Sequence, residues 1–394
     1  MCQARGSARM PLLCIVPPQI LRHIARGESR QLADWALHTI ALSERMRGAR
    51  VVLGAMASLA TTPAGVKRRT VYDARNAERL PGTLVRAEGE GPSKDVAVNE
   101  AYDGAGLTYD LYHEAFGRNS IDDRGMRLDS TVHYGRKFDN AFWDGRQMVY
   151  GDGDGAIFQR FTKCIDVIGH ELTHGITEAE AGLDYQDQPG ALNESFSDVM
   201  GSLVKQYHLG QKASEADWII GAGLFARGVK GVALRSMKAP GTAYDDPRIG
   251  KDPQPAHMKD YVATHEDSGG VHANSGIPNR AFYLAAVAIG GQAWKKAGRI
   301  WYVTLSERLK HDSSFADAAR LTAEVAKELY GSDSAEAGAV RTAWQTVGVV
   351  ASGSRGPGPG RRRTGENRVP AQRRVRGAQR SAGPRKRRAA RRGA

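Results

Sequence analysis

Cysteine is nearly missing from this chain: Cys2, Cys14 and Cys164 are its three thiols. They are too few and too scattered for a disulfide framework. With no Cys-x-x-Cys pair, a thiolate zinc site is excluded as well. No apolar run approaches the roughly eighteen residues that a membrane-spanning helix needs, and no internal repeat is present. The N-terminus has basic residues and then a short apolar stretch, Met10–Val16, which Pro17 and Pro18 cut off. It reads as no conventional signal peptide. Net positive charge is also missing over most of the length, although the whole chain carries +13. From Ala351 to Ala394 fifteen Arg or Lys stand against one acid, Glu366, so the first 350 residues sum to about −1. A nucleic-acid or anionic-surface partner is therefore expected only through this tail. The tail lacks large apolar residues, cannot build a core, and is expected to be disordered.

What remains is ordinary globular material, with 41% apolar and 25% charged residues in 394, enough for one or two cores. Residues 18–47 read as helical: Pro18 suits a first turn, and Ser29 can cap a second helix in which Leu32, Trp35, Ala36 and Ile40 repeat at helical spacing. Met46–Arg68, small and basic, reads as a linker and cleavage region. Thr70–Tyr72, Thr131–Tyr134 and Gln147–Tyr150 are strand-like, and Asp95–Phe116 is periodic enough for a helix. Beyond Cys164 helices are expected over Ile165–Thr177, Ala191–Tyr207, Ser275–Ile289, Ala293–Arg308, Ser314–Leu329 and Ala335–Val347. The stretch Gly228–Pro255, heavy in Gly, Pro and Asp, reads as loops.

The chemistry concentrates in Ile165–His174. His170 and His174 are four apart, so both imidazoles project from one helix face, and neutral imidazole is a good zinc ligand. Glu171 lies about 100° round the helix, placed to reach a water rather than to bind with the pair. Catalytic zinc needs a third protein ligand, and twenty residues on, Glu194 and Asp198 are again four apart. Glu194 is the best candidate ligand. Asp198 suits the outer N–H of one ligand imidazole, and Asn193 the other. A His-Glu-x-x-His run arises by chance in such a chain on the order of once or twice in a hundred. The motif alone is thus a hypothesis, strengthened here by an acidic helix at a workable distance.

Wider motifs agree: Asn140-Ala141-Phe142-Trp143-Asp144-Gly145, Met148-Val149-Tyr150-Gly151-Asp152-Gly153, His170-Glu171-Leu172-Thr173-His174, Gly182-Leu183-Asp184-Tyr185, Asn193-Glu194-Ser195-Phe196-Ser197-Asp198, and Gly269 to Gly276. In these the chain resembles the thermolysin family of metallopeptidases from about Arg69 to Val350. The resemblance implies an α+β, two-lobed metallopeptidase, with a strand-rich N-terminal lobe and a helical C-terminal lobe around the zinc site. It implies His170, His174 and Glu194 as zinc ligands, Glu171 as general base, and Tyr185 and His272 as hydrogen-bond donors to the oxyanion. Asp267 would orient His272, and Arg235 would bind a substrate carbonyl. Asn140 and Ala141 would hold a peptide as an added strand. Phe158, Phe161, Val167 and Leu234 match an apolar pocket, implying preference for a bulky apolar residue on the amine side of the cut. Taken singly, Tyr185 is equally compatible with half-buried structure, Gly-Gly-Val-His with a turn, Arg235 with the surface, and the four apolar residues with core.

Two departures point the same way. Asp166 matches a ligand of the family's double calcium site, but the acidic position on the next helix is Lys205, which cannot ligate calcium. That double site is expected to be absent. The leader is short, and its Pro17-Pro18-Gln19-Ile20-Leu21 resembles the Pro-Pro-x-x-Leu motif of the protealysin subgroup. The expected organisation is a helical propeptide over residues 1–65, a strand-rich domain over 66–177 ending in the zinc-binding helix, a helical domain over 178–350, and the tail over 351–394. The implied function is a neutral zinc endopeptidase, made as a monomeric proenzyme, inhibited by its own propeptide and acting on peptide or protein substrates. Secretion is expected without a recognisable signal peptide, the cytoplasm being the alternative. Cys14 can face zinc or, as the stronger expectation, pack in the interior. A catalytically dead binding module and a nucleic-acid binder driven by the tail are the competing readings. Intact Glu171, Tyr185 and His272 argue against the first, and a near-neutral body against the second.

Overall fold

A computed structural model describes residues 13–53 and 63–349; the basic tail and the middle of the expected linker lie outside the described residues. The first described element is a two-residue strand, β1 (Leu13–Cys14). Pro18 then takes the first position of helix α1 (Pro18–Ala25), where its missing N–H costs nothing. Ile20, Leu21 and Ile24 bury one face of it. Helix α2 (Arg30–Leu53) packs against α1, and the Leu32 N–H meets Ser29 Oγ at 3.4 Å. It runs past Met46, where a linker was expected, because Met46–Leu53 holds one glycine and no proline to stop it.

A six-stranded sheet follows, built from β1, β2 (Arg69–Asp73), β3 (Thr83–Ala87), β4 (Leu128–Val132), β5 (Ala141–Trp143) and β6 (Gln147–Tyr150). Its order is β1-β5-β6-β4-β2-β3. The β2–β4 and β4–β6 pairs are parallel and the others antiparallel. The leader therefore supplies one edge of the sheet. The strand expected over Thr131–Tyr134 ends at Val132, because His133 has a positive φ of 55° and turns the chain out of line. Helix α3 (Val96–Phe116) begins at Asp95, whose side chain accepts from the Ala97 N–H at 2.8 Å, and packs against β2 and β4.

Beyond the sheet the chain is helical: α4 (Ile165–Ala179), α5 (Asp187–Leu209), α6 (Asp267–Asn274), α7 (Gly276–Ile289), α8 (Ala297–Glu307), α9 (Phe315–Tyr330) and α10 (Ala335–Thr346). Helix α5 starts four residues before the expected Ala191, since Pro189 is tolerated in a first turn. The loop stretch 228–255 holds only the two-residue strands β8 (Arg235–Ser236), β9 (Asp245–Asp246) and β10 (Gly250–Lys251), while β7 (Ile219–Ile220) pairs with β8. Among the described residues no helix is long and apolar enough to cross a membrane. Helices α4 and α5 form the central pair. They approach closely at Gly201, where any Cβ would collide with the Asp166 carbonyl. That contact brings the carboxylates of α5 within reach of the histidines of α4.

Candidate active site

His170 and His174 sit fully buried on the face of α4 that meets α5, at the helical spacing the sequence predicts. Glu194, also fully buried, faces them from α5. Its Oε2 lies 3.5 Å from His170 Nε2 and its Oε1 3.5 Å from His174 Nε2. The outer nitrogens fix both tautomers. His170 Nδ1 donates to Asp198 Oδ1 at 2.8 Å, and His174 Nδ1 donates to Asn193 Oδ1 at 2.8 Å. Each Nε2 is then a lone pair, and the two stand 3.0 Å apart. Two lone pairs and a carboxylate do not stay together in a dry interior without a cation between them. Ligand atoms of His170, His174 and Glu194 all lie within 4.8 Å of one another, and Glu194 Oε2 accepts no hydrogen bond among the described residues. The donor set, two imidazoles and one carboxylate, suits zinc.

Asp198 is the hub of the outer layer. Arg235 grips it through two hydrogen bonds, Nε to Oδ2 and Nη2 to Oδ1, each 2.8 Å, and Asn279 Nδ2 donates to Oδ2 at 2.8 Å. Burial would raise this carboxyl, but Arg235 and His170 hold it well below the usual range. Asn279, and Ser197 with its Oγ 3.0 Å from His174 Nδ1, were not foreseen from the sequence. The Glu194–Asp198 spacing could have drawn attention to Ser197, one residue earlier. Asn279 comes from α7, and no local pattern joins it to α5.

On the other wall, α6 begins with Ser268, Gly269 and Gly270 at φ of 51°, 83° and 74°, a left-handed turn that suits the two glycines. The turn aims Asp267 back at His272: Oδ1 accepts from Nδ1 at 2.7 Å and Oδ2 from the His272 N–H at 3.0 Å. Burial lowers the His272 pKa, but Asp267 and Glu194 more than offset it and raise it to about 9. Near neutral pH both ring nitrogens therefore donate. Tyr185 donates its hydroxyl to Glu194 Oε1 and lies 3.4 Å from His272 Nε2. Burial, with Glu194 beside it, pushes the phenol well above its usual value, so it stays protonated.

Glu171 is buried next to His170, and its Oε2 accepts from the Trp143 N–H of β5 at 3.2 Å. Along that same strand lies the leader. The Ile15 N–H donates to Ala141 O at 3.3 Å and the Val16 N–H to Asn140 Oδ1 at 3.1 Å. Arg235 Nη1 donates to Ile15 O at 3.0 Å, and His272 Nε2 donates to Cys14 O at 3.0 Å. Asn140, Ala141, Arg235 and His272 thus come together on one peptide segment. Ile15 is fully buried, in the same contiguous core as Phe158, Phe161, Val167 and Leu234. Cys14 packs with Leu42, Met46, Tyr134, Phe138 and Phe142.

Comparisons with known proteins place the whole described body in one family. The family profile described as thermolysin metallopeptidase, catalytic domain, matches residues 58–178, and that described as thermolysin metallopeptidase, alpha-helical domain, matches residues 181–349. An extracellular metalloprotease of Pectobacterium carotovorum subsp. carotovorum is 53% identical over 86% of this chain and 97% of its own length. Protease PrtS of Photorhabdus sp. (strain Az29) is 48% identical over 85% of this chain and 91% of its own. A solved structure, the precursor of protealysin, a metalloproteinase from Serratia proteamaculans, superposes with a TM-score of 0.79 at 55% identity, covering 86% of this chain and all of that one.

Proposed function

The chain belongs to the thermolysin family of zinc metalloendopeptidases, and we propose that His170, His174 and Glu194 hold the catalytic zinc while residues 13–53 act as the inhibitory part of its proenzyme. The observation that carries the site assignment is the pair of Nε2 lone pairs, 3.0 Å apart beside Glu194, with both outer nitrogens fixed by Asp198 and Asn193. Zinc bound there supplies Lewis-acid polarisation of a carbonyl and acidifies water. Glu171 takes the water proton and passes it to the leaving amine. Its hydrogen bond from Trp143 N–H keeps the carboxylate oriented for that transfer. His272 aims its Nε2 proton at the carbonyl oxygen as it gains negative charge, which is when such donors count most, and Tyr185, whose hydroxyl donates to Glu194 here, is the second donor once that carboxylate ligates metal. Asp267 holds His272 in the donating orientation. Asn140, Ala141 and Arg235 align the substrate backbone beside β5, so recognition uses main-chain groups more than side chains. Phe158, Phe161, Val167 and Leu234 favour a bulky apolar residue on the amine side of the cut. Peptides with Leu there should be cut faster than those with Asp, and equal rates would remove the pocket.

Inhibition follows from occupancy. Residues 14–16 use the donors and acceptors that a substrate would use, so no peptide enters until they leave. The relative named an extracellular metalloprotease supports release to the outside of the cell. The double calcium site is taken to be replaced: Lys205 Nζ lies 3.2 Å from Asp166 Oδ2 and 2.8 Å from Asp217 Oδ2, which supplies the positive charge from the chain itself. Metal analysis with casein hydrolysis, on the parent and on Glu171→Ala, tests the core of this reading. One zinc per chain in both, and hydrolysis in the parent alone once its leader is removed, is the expected result. Full activity in Glu171→Ala would reject the mechanism, and a full-length chain as active as one starting near Arg68 would reject inhibition by the leader.

A further inference from the structure

The leader does more than fill the cleft; it lies there in a definite register. Strand β1 runs antiparallel to β5, with Cys14 opposite Phe142. The carbonyl bonded to His272 is that of Cys14, and the same His272 Nε2 is 3.6 Å from Glu194 Oε2. The next carbonyl, of Ile15, is the one Arg235 holds, and the next two N–H groups, of Ile15 and Val16, go to Ala141 O and Asn140 Oδ1. A carbonyl at the oxyanion donor, next to the ligand carboxylate, is the carbonyl of a bond about to be cut. The following residue, Ile15, is bulky, apolar and fully buried.

We infer that the Cys14–Ile15 peptide bond of the leader occupies the scissile position and that the enzyme hydrolyses this bond in its own chain. The inference rests on the site reading above. In the reaction, water gives its oxygen to the Cys14 carbonyl carbon, the C–N bond to Ile15 breaks, and Glu171 carries a proton from the water to the departing amine. The products are a Cys14 carboxylate and an Ile15 amine, with no other reactant consumed.

The two products differ in how they are held. The amine side is anchored by α1 and α2: Arg22 pairs with Glu266 at 2.9 Å, His23 Nε2 bonds Pro247 O at 2.9 Å, and Ile20, Leu21 and Ile24 are buried. Thr39 Oγ1 also accepts from the Asp139 N–H at 3.2 Å. Ile15 therefore stays beside Arg235 after the cut, close enough to the new carboxylate for resealing to compete with release. The nick is slow to show, and the cleaved leader goes on blocking the cleft.

The test uses the full chain loaded with zinc, incubated at two concentrations tenfold apart and followed by intact mass. A chain beginning at Ile15 should accumulate, with its partner fragment ending at Cys14, at a first-order rate unchanged by dilution. The same incubation of Glu171→Gln should give it about a thousandfold more slowly, and matching melting curves would show that this variant folds. An intact Cys14–Ile15 bond, cutting at other bonds only, or a rate that rises with concentration overturns the inference. Limited trypsin around Lys67 and Arg68, followed by trypsin inhibition and a casein assay, separates the two levels. Casein hydrolysis with the Cys14–Ile15 bond intact sinks the self-cleavage alone, whereas no hydrolysis sinks the site reading with it.

Discussion

Helices α4 and α5 carry two carboxylate-centred sites one helical turn apart, and the two are balanced in opposite ways. At the start of α4, Asp166 is 2% exposed and faces Lys205, whose ammonium also reaches Asp217 and the Ile219 carbonyl at 3.2 Å. Burial raises the Asp166 pKa, and Lys205 pulls it back. One turn later His170, His174 and Glu194 gather with no lysine or arginine of the described residues pairing with them; Arg235 is committed to Asp198, and the His272 imidazolium, 3.6 Å from Glu194 Oε2, is committed to Asp267 and the Cys14 carbonyl. The first site is closed by the chain's own charge and the second is built to receive one. On the function proposed above, a single side chain on α5 closes one cation site while the neighbouring one stays open.

The sharpest way to break this contrast is at the open site. Glu171→Gln keeps the shape and an oxygen for the Trp143 N–H but removes the base. Casein hydrolysis by the leader-free enzyme should fall about a thousandfold or more, roughly 4 kcal/mol in the barrier, with bound zinc unchanged. A drop below tenfold would mean that the proton moves through another group.

Next in size is Asp198→Asn. It strips the partner from Arg235, which is 1% exposed. A buried guanidinium left without its carboxylate costs about 3 kcal/mol or more. Denaturant unfolding should show that loss in the proenzyme, together with weaker zinc retention, because His170 Nδ1 then donates to a neutral amide oxygen in place of a carboxylate. Unchanged stability would mean that Arg235 finds water or another acceptor, and that the outer layer is less closed than its 2.8 Å contacts indicate.

These residues also show how far the sequence could be read. His170, Glu171, His174, Glu194 and Asp198 were legible because helical spacing of three and four is a local rule, and it puts them on facing surfaces whatever the rest of the chain does. Asn279 was not, because its link to Asp198 spans 81 positions and depends on how α7 crosses α5. Strand β5 escaped notice as a strand at three residues long, too short for an alternation pattern. The end of β4 was misplaced because His133 adopts a left-handed backbone that nothing in its own side chain demands. Pro17 and Pro18 marked the helix start correctly, but only tertiary pairing reveals that the residues before them become a sheet edge. What escaped the sequence was the long-range part: which segment lies in the cleft, and in which register.

The closed site gives a smaller effect. Lys205→Met leaves Asp166 buried without its cation, and the lysine side chain it replaces is itself 14% exposed. About 2 kcal/mol should be lost, less than for a wholly buried pair because solvent reaches one side. Adding calcium or a calcium chelator to the parent should leave its melting temperature unchanged. A rise with calcium would mean that Lys205 does not close the site and that the contrast between the two sites is false.

A third carboxylate site shows what happens when the internal cation can be switched off. Just past the end of β4, His133 bridges two acids, with Nδ1 2.9 Å from Asp152 and Nε2 2.7 Å from Asp95. The hydrogen bond to Asp152 leads in raising the imidazole pKa to about 9, against burial, with Asp95 adding to it. The unfolded chain binds this proton with a pKa of roughly 6.5. A folded value above the unfolded one means that the ion-paired imidazolium stabilises fully below about 6.5 and ceases to as pH rises through about 9. His133→Asn should therefore cost about 1 kcal/mol at pH 6, the partly exposed acids keeping it small, and progressively less by pH 10. The Lys205→Met penalty should hold across that window, since Asp166 and Asp217 raise the Lys205 pKa further against burial. Unfolding both variants at pH 6, 8 and 10 separates a titratable internal cation from a permanent one. A His133→Asn penalty that stays flat with pH would show that His133 acts there through hydrogen-bond geometry, not through its charge.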